Sequence, residues 1–232
     1  LGKDLGLVMA KGVLLGVITT LTVFPVLLLY FDNAIEKTNF VPKKRSELGI
    51  PEDAFVFCLV SRAIPEKGWK ESIKAVSLCR KKTAQDIHII LVGDGPMYEK
   101  LKDSVPNYVH MVGFQADIKS YFSIANMGLI ASSFKGESVP LAILESYAAG
   151  TPVLATHIGE IPFMLNRDGK KAGILCELDD DGNLSVNKLS SCMIEAVSHP
   201  SFYLEMRNNV PYVAQQFDFE QMLNKYIALY ES

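Results

Sequence analysis

What this sequence lacks narrows the field before any motif is read. Its 232 residues include four cysteines. Cys58, Cys79, Cys176 and Cys192 show no C-x-x-C spacing, and no histidine lies close enough to complete a zinc site. A disulfide scaffold and a zinc-stapled module are thereby excluded, no metal is expected, and the four read as reduced core residues of a cytoplasmic protein. No charge of one sign dominates, since 23 Lys+Arg against 26 Asp+Glu give a formal net charge of −3. That gives no general reason to expect nucleic acid or an anionic membrane as a partner, so any phosphate site must be local. Internal repeats, low-complexity segments and a positively charged leader with a small-residue cleavage site are also absent. The chain opens on Leu1 rather than Met, which reads as a piece of a longer protein.

What is present suits a globular domain. Hydrophobic residues make up 49% and charged residues 21%, enough apolar material for a sizeable core in one large domain or one domain with attachments. One stretch stands apart: residues 12–31, GVLLGVITTLTVFPVLLLYF, carry no formal charge and match the span of a bilayer core. Three threonines, two glycines and Pro25 interrupt it, and its β-branched clusters favour buried strand. Buried core and membrane association both stay open for it.

A polar segment with Pro42 and Pro51 follows, placing a boundary near residue 40. Beyond it the chain alternates. Apolar runs at 55–61, 87–93, 109–114, 127–133 and 152–157 are each bare of polar alternation, and helical patterns lie between them at 67–82, 96–105, 116–126 and within 138–150. Strands of that kind, each followed by a helix, predict a Rossmann-like, doubly wound α/β domain whose parallel sheet is covered on both faces. Ligands of such sheets bind beyond the carboxyl ends of the strands, so the residues there are the candidates. The acidic ELDDDGN at 177–183 reads as a solvated loop.

Four strand ends carry something notable. After the first come Arg62 and Lys67, either a clamp for phosphate or two surface cations flanking a helix start. After the second comes GDGP, where Gly93 and Gly95 permit a tight turn and close approach to the main chain. It lacks the third glycine of the dinucleotide fingerprint, which argues against a nicotinamide cofactor. After the third come Gly113 and Phe114, a seat for a flat ring or a plain turn with Phe114 in the core.

The fourth is GESVPLAILESYAAGTPVLAT, residues 136–156. Ser138 is a plausible N-cap and Pro140 suits only a first helical turn, so a helix is expected to start between them and to end at Gly150, with Leu141, Leu144 and Ala148 on one face. Glu137 then precedes the helix and Glu145 lies in its second turn. Open backbone N–H groups at the helix start attract phosphate, and each carboxylate can accept from two neighbouring hydroxyls. The alternative is that Glu137 merely complements the helix dipole and Glu145 faces solvent.

Taken in order, these segments resemble the nucleotide-sugar-dependent glycosyltransferases of family 4, specifically the C-terminal, donor-binding half of their GT-B fold. The anchors are SRAIPEKG, GDGP, ESVPLAILESYAAGTPV and THIGEIPFML, with NAIEKTNF similar to the interdomain linker and FDFEQMLNKYIALYE similar to a closing helix that crosses back to the other domain. The resemblance implies a retaining glycosyltransferase using a UDP-, GDP- or ADP-sugar, with no further cofactor. In it Arg62 and Lys67 hold the diphosphate, Glu137 the sugar hydroxyls and Glu145 the ribose. Ser138, Val139, Pro140 and Leu141 lie near sugar and phosphate, and Val112 to Phe114 near the base.

It also implies three parts: residues 1–40 as the remnant of an N-terminal domain and linker, 41–215 as the nucleotide-sugar domain, and 216–232 as the crossing helix. A saccharide or lipid-linked acceptor would be bound by the other domain, with peripheral membrane association left open. Departures are visible too. Ser138 and Pro140 replace glycines and Pro140 offers no N–H, while in the following loop Glu160 stands for a glycine and Phe163 for a glutamate. A GT-B-like nucleotide-sugar epimerase, a non-catalytic nucleotide-sugar sensor and a membrane-attached interaction domain are the rival readings, since a fold alone does not fix function.

Overall fold

The computed structural model describes residues 43–134, 136–218, 220, 221, 223, 224, 227 and 228. These belong to one compact unit spanning Pro42–Ser232. The expectations for residues 1–40, including the apolar stretch 12–31, lie outside the described residues, and so do eight of the seventeen residues of the closing segment 216–232. Among the described residues no helix is long and apolar enough to cross a membrane.

Among the described residues eight strands occur: β1 Phe55–Val60, β2 Ile87–Val92, β3 Val109–Gly113, β4 Met127–Ile130, β5 Val153–Thr156, β6 Asn166–Arg167, β7 Lys170–Lys171 and β8 Gly173–Cys176. Between and after them run α1 Trp69–Lys82, α2 Pro96–Leu101, α3 Lys119–Ile124, α4 Leu141–Ala148, α5 Ile161–Met164, α6 Val186–Ser198 and α7 Pro200–Ala214. Six strands form one sheet in the order β3-β2-β1-β4-β5-β8. All five neighbouring pairs are parallel, while β6 and β7 make a small antiparallel hairpin. This is the doubly wound α/β order in which the chain moves outward from β1 first one way and then the other.

The apolar runs explain the layering. Side chains alternate across a strand, so Phe55, Phe57 and Leu59 of β1 enter a core shared with Trp69 and Val76 of α1 and Leu189 and Met193 of α6. Val56 and Cys58 enter the opposite core with Tyr121 and Phe122 of α3. Strand β2 repeats the division, with Ile87, Ile89 and Leu91 on one side and Ile90 and Val92 on the other. A strand wetted on one face would waste half of these residues.

The helix inside residues 138–150 departs from expectation. It starts only after Pro140, which takes the N-cap place with no side-chain cap bond, and Ser138 is an exposed loop residue. Its buried face is Ile143, Ser146 and Tyr147, whereas Leu141 is 68% exposed. The C-terminal reading holds: Gly150 has φ +72°, and the N–H groups of Gly150 and Thr151 donate to Tyr147 and Ser146 carbonyls, a Schellman closure. The ELDDDGN loop is largely exposed, with Asp179 paired to Lys188 at 3.1 Å. Strand β8 and helices α6 and α7 were not anticipated from the sequence.

One pair on the sheet makes stability sensitive to acid. His88 of β2 and His110 of β3 stack with ring centroids 5.1 Å apart and share a 2.8 Å contact between Nδ1 and Nε2. Burial, and then the neighbouring His88, push the His110 imidazole down to about 4. Below its ordinary value of 6.5 the unfolded chain binds a proton that the folded chain refuses, so stability falls as pH drops from 6.5 to 4. Because the ring is only half-buried, the loss is roughly 1–2 kcal/mol rather than the full linkage value. Urea midpoints at pH 7 and 4.5 should show this loss in wild type and a smaller one in His110→Gln; equal losses would refute the assignment.

Candidate functional site

Strand order reverses direction between β1 and β4, and that is where a doubly wound sheet opens a crevice beyond its carboxyl ends. A cleft of about 440 Å³ lies there, floored by the ends of β1 and β4 and walled by Arg62, Lys67, Glu137, Val139, Pro140 and Leu141. An adjoining hollow of about 190 Å³ shares Val60, Ser61 and Arg62 with the cleft and adds Gly93 and Phe114. Together they form one depression with a polar centre and an apolar end.

Lys67 is delivered by a short 3-10 turn, Pro65–Lys67, that follows β1 and is closed by Gly68. Its Nζ pairs with Oε2 of Glu137, 70 residues away in the chain. Both side chains are largely buried, 16% and 12% exposed, and the Phe134 ring covers Nζ with its centroid 5.5 Å away. Arg62 is exposed at the junction of the two hollows, and its guanidinium has no partner among the described residues. Phe114 is 72% exposed, so the reading that buries it in the core does not hold; it forms an open plate beside Arg62.

The loops carrying these groups are pinned to one another. Thr156, wholly buried at the end of β5, donates from Oγ1 to the Ser132 carbonyl at 2.6 Å. Ser133 N–H donates to the Glu66 carbonyl at 2.8 Å, joining the loop after β4 to the turn that delivers Lys67. Gly159 has φ +51°, and a Cβ there would sit 2.0 Å from the Glu137 carbonyl oxygen. Glu160 N–H donates to Ser138 O at 3.3 Å. The loop after β5 is thus pressed against the backbone of Glu137, so Gly159 positions that carboxylate, a role the sequence reading missed.

Four candidates sit apart from the lining. The missing side chain of Gly95 points at the Ala63 backbone, 2.8 Å from its carbonyl oxygen, and that of Gly113 points at Tyr98. Gly93 lines the hollow, but its Cβ position is 2.0 Å from the Ser61 carbonyl oxygen; the close approach it permits is by the protein's own chain. Ser138 offers its carbonyl to Glu160. Glu145 is half-buried on α4 with no polar partner among the described residues, and burial pushes its carboxyl above the usual carboxylate range. A half-buried acceptor left unpaired costs free energy until a donor arrives.

Chemically, the depression offers a buried cation held by a carboxylate, a second cation unpaired among the described residues, a helix start and a flat apolar plate. It can take a ligand that carries negative charge, hydroxyls and a ring. Among the described residues no cluster of His, Cys, Asp or Glu could hold a metal ion.

Comparison with known proteins gives the family and the fold. The family model described as glycosyl transferases group 1 matches residues 40–209. N-acetyl-alpha-D-glucosaminyl L-malate synthase of Bacillus anthracis is 24% identical over 87% of this chain and 51% of its own length. The lipopolysaccharide core biosynthesis glycosyltransferase LpsE of Rhizobium meliloti is 30% identical over 59% of this chain and 39% of its own. Among solved structures, Anabaena Alr3699/HepE in complex with UDP-glucose superimposes with a TM-score of 0.65 at 23% identity, covering 79% of this chain and 50% of that one. At such identity the likeness speaks for the fold. The chain spans about half the length of the relatives it matches. With a matching six-stranded parallel sheet and a family match across most of its length, the chain belongs to the glycosyl transferases group 1 family, family 4, and corresponds to the C-terminal region of its GT-B enzymes.

Proposed function

We propose that this chain is the donor-binding half of a retaining glycosyltransferase, of hexosyltransferase type, that draws its sugar from a nucleotide diphosphate sugar. The observation that carries the reading is the Lys67–Glu137 ion pair inside the switch-point cleft, with the unpaired Arg62 beside it. A solved relative holds UDP-glucose, and a curated relative is named a UDP-Gal-dependent galactosyltransferase; both support the donor class.

On donor arrival Lys67 exchanges Glu137 for diphosphate oxygens, and Glu137 turns to the hydroxyls of the sugar. Arg62 grips the diphosphate with its planar fork. As the glycosidic bond breaks, negative charge grows on the leaving diphosphate, where these two fixed cations stabilise it. The first N–H groups of α4 face the same charge, less the one that Pro140 lacks. Phe114 carries the base, and Glu145 takes the ribose hydroxyls. In this reading residues 1–40 and 216–232 belong to the connection with a second domain, which brings a saccharide or lipid-linked acceptor.

The test is a titration of UDP-, GDP- and ADP-glucose, and of each free nucleotide diphosphate, against wild type and Glu137→Gln. Glu137→Gln should weaken the sugar-bearing ligand about tenfold or more, since two charge-assisted hydrogen bonds become neutral ones. Affinity for the matching free diphosphate should hold or rise, because a competing carboxylate is gone. No binding of any member by wild type would overturn the proposal; parallel losses for both ligand types would overturn the role of Glu137.

A further inference from the structure

Outside the donor cleft, the group that stands out is a pair of sulfurs on the far edge of the sheet. Cys176 ends β8, the edge strand, and Cys192 lies on α6, which packs against it. Cys192 Sγ reaches the carbonyl of Leu175, the residue next to Cys176, at 3.9 Å, and Cys176 Sγ reaches the Glu177 carbonyl at 3.8 Å. Both side chains belong to the same apolar cluster and act on each other electrostatically, Cys176 buried and Cys192 half-buried. No motif spacing announced this, since 16 positions and a change of secondary structure separate them.

We propose that Cys176 and Cys192 form an oxidisable dithiol that closes to a reversible intramolecular disulfide on reaction with a hydroperoxide. Cys192 is the attacking sulfur because it is the more exposed of the two. The neighbouring Cys176 lowers the Cys192 thiol, while the interaction with Cys192 and then burial raise Cys176. The thiolate attacks one oxygen of the hydroperoxide, the O–O bond breaks, and the other oxygen takes a proton and leaves as water or alcohol. Cys192 is now a sulfenic acid. The Cys176 sulfur attacks it, the S–S bond forms at about 2.0 Å, and the Cys176 proton leaves with the sulfenic hydroxyl as water. A dithiol reductant reverses the change by exchange.

The other two cysteines are poor competitors. Burial raises Cys58 and pushes Cys79 up to about 11, so neither presents a thiolate at neutral pH. The pair also lies one residue from Glu177, whose carboxylate holds His157 at 2.6 Å at the head of the loop that packs on Glu137. The inference concerns these sulfurs alone and stands apart from the donor reading.

The experiment treats the folded full chain with hydrogen peroxide, unfolds it in alkylating agent, and maps peptides by mass. The expected result is a fall from four alkylated cysteines to two and a cross-linked peptide joining Cys176 to Cys192, reversed by dithiothreitol. In Cys192→Ser the cross-link should vanish with all remaining thiols still alkylated. In Cys176→Ser, Cys192 should stop at a sulfenic acid captured by a dione probe. Four intact thiols in treated wild type, a cross-link through Cys58 or Cys79, or a chain-to-chain bond would each overturn the proposal.

Discussion

Replacing Lys67 with alanine is expected to weaken binding of the cognate nucleotide diphosphate sugar by a hundredfold to a thousandfold. The substitution acts through what it leaves behind as much as through what it removes. Lys67 supplies a point charge to a diphosphate, and a hydrogen bond to a charged group contributes about 1.5–3 kcal/mol. Its loss also strands Glu137, whose side chain is only 12% exposed, as an unpaired carboxylate where negative oxygens must lodge. The two effects together come to roughly 3–4 kcal/mol, which is two to three orders of magnitude in Kd. The double variant Lys67→Ala/Glu137→Gln separates them. It should recover part of the affinity, because the repulsion is gone while the missing cation is not, and the two changes should be strongly non-additive as befits groups in contact. Calorimetric titration at fixed ionic strength reads both values. Wild-type affinity in Lys67→Ala would show that the diphosphate sits elsewhere; strict additivity would show that the ion pair plays no part in binding.

That ion pair also marks how far the sequence could be read. Strands β1 and β2 were legible because FVFCLV and IHIILV leave no polar face, and helix α1 because its apolar residues recur at helical spacing. Arg62, Lys67, Glu137 and Phe114 were legible as candidates because a parallel sheet puts the ends of its strands on one rim. Their pairing was not, since the contact between Lys67 and Glu137 spans 70 residues and no local propensity encodes it. The start of α4 was misplaced for a related reason. Ser138 is a good N-cap by type, yet its carbonyl is taken by Glu160 and the preceding carbonyl is pressed by Gly159, so the chain bends through Ser138 and Val139 and enters the helix only after Pro140. Tertiary contacts overrode the local rule. Helices α6 and α7 escaped notice because the polar Ser190 interrupts the buried face of α6, and Pro211 sits inside α7 where it would ordinarily end a helix. The glycines were read as openings for a ligand, whereas several prove to be places where two loops of the protein touch.

Gly93 is the sharpest of these, and Gly93→Ala is expected to cost about 3 kcal/mol of folding stability or more. Its φ of +135° is a conformation open to glycine and costly for any residue with a Cβ. A Cβ there would also lie 2.0 Å from the carbonyl oxygen and 3.0 Å from the carbonyl carbon of Ser61, both backbone atoms that no rotamer change can move. Ser61 itself is fixed: its N–H donates to the Val92 carbonyl at 3.1 Å, and its Oγ accepts from Nε1 of the fully buried Trp69 at 2.9 Å. To admit one methyl group the chain must break the tie between the ends of β1 and β2, from which both hollows of the site are hung. Gly182→Ala is the comparison, since Gly182 also has a positive φ, +75°, but nothing within 4 Å of the added carbon. It should lose only about 1 kcal/mol, the backbone share alone. Urea midpoints give both numbers, and the excess in Gly93→Ala measures the contact with Ser61 together with the costlier φ at that position. The same variant, at temperatures where it remains folded, should bind nucleotide diphosphates more weakly, because Arg62 follows directly on the displaced residue. If Gly93→Ala melts no earlier than Gly182→Ala, the two strand ends do not meet as closely as the site requires, and the convergence of Arg62 and Phe114 on one hollow loses its support.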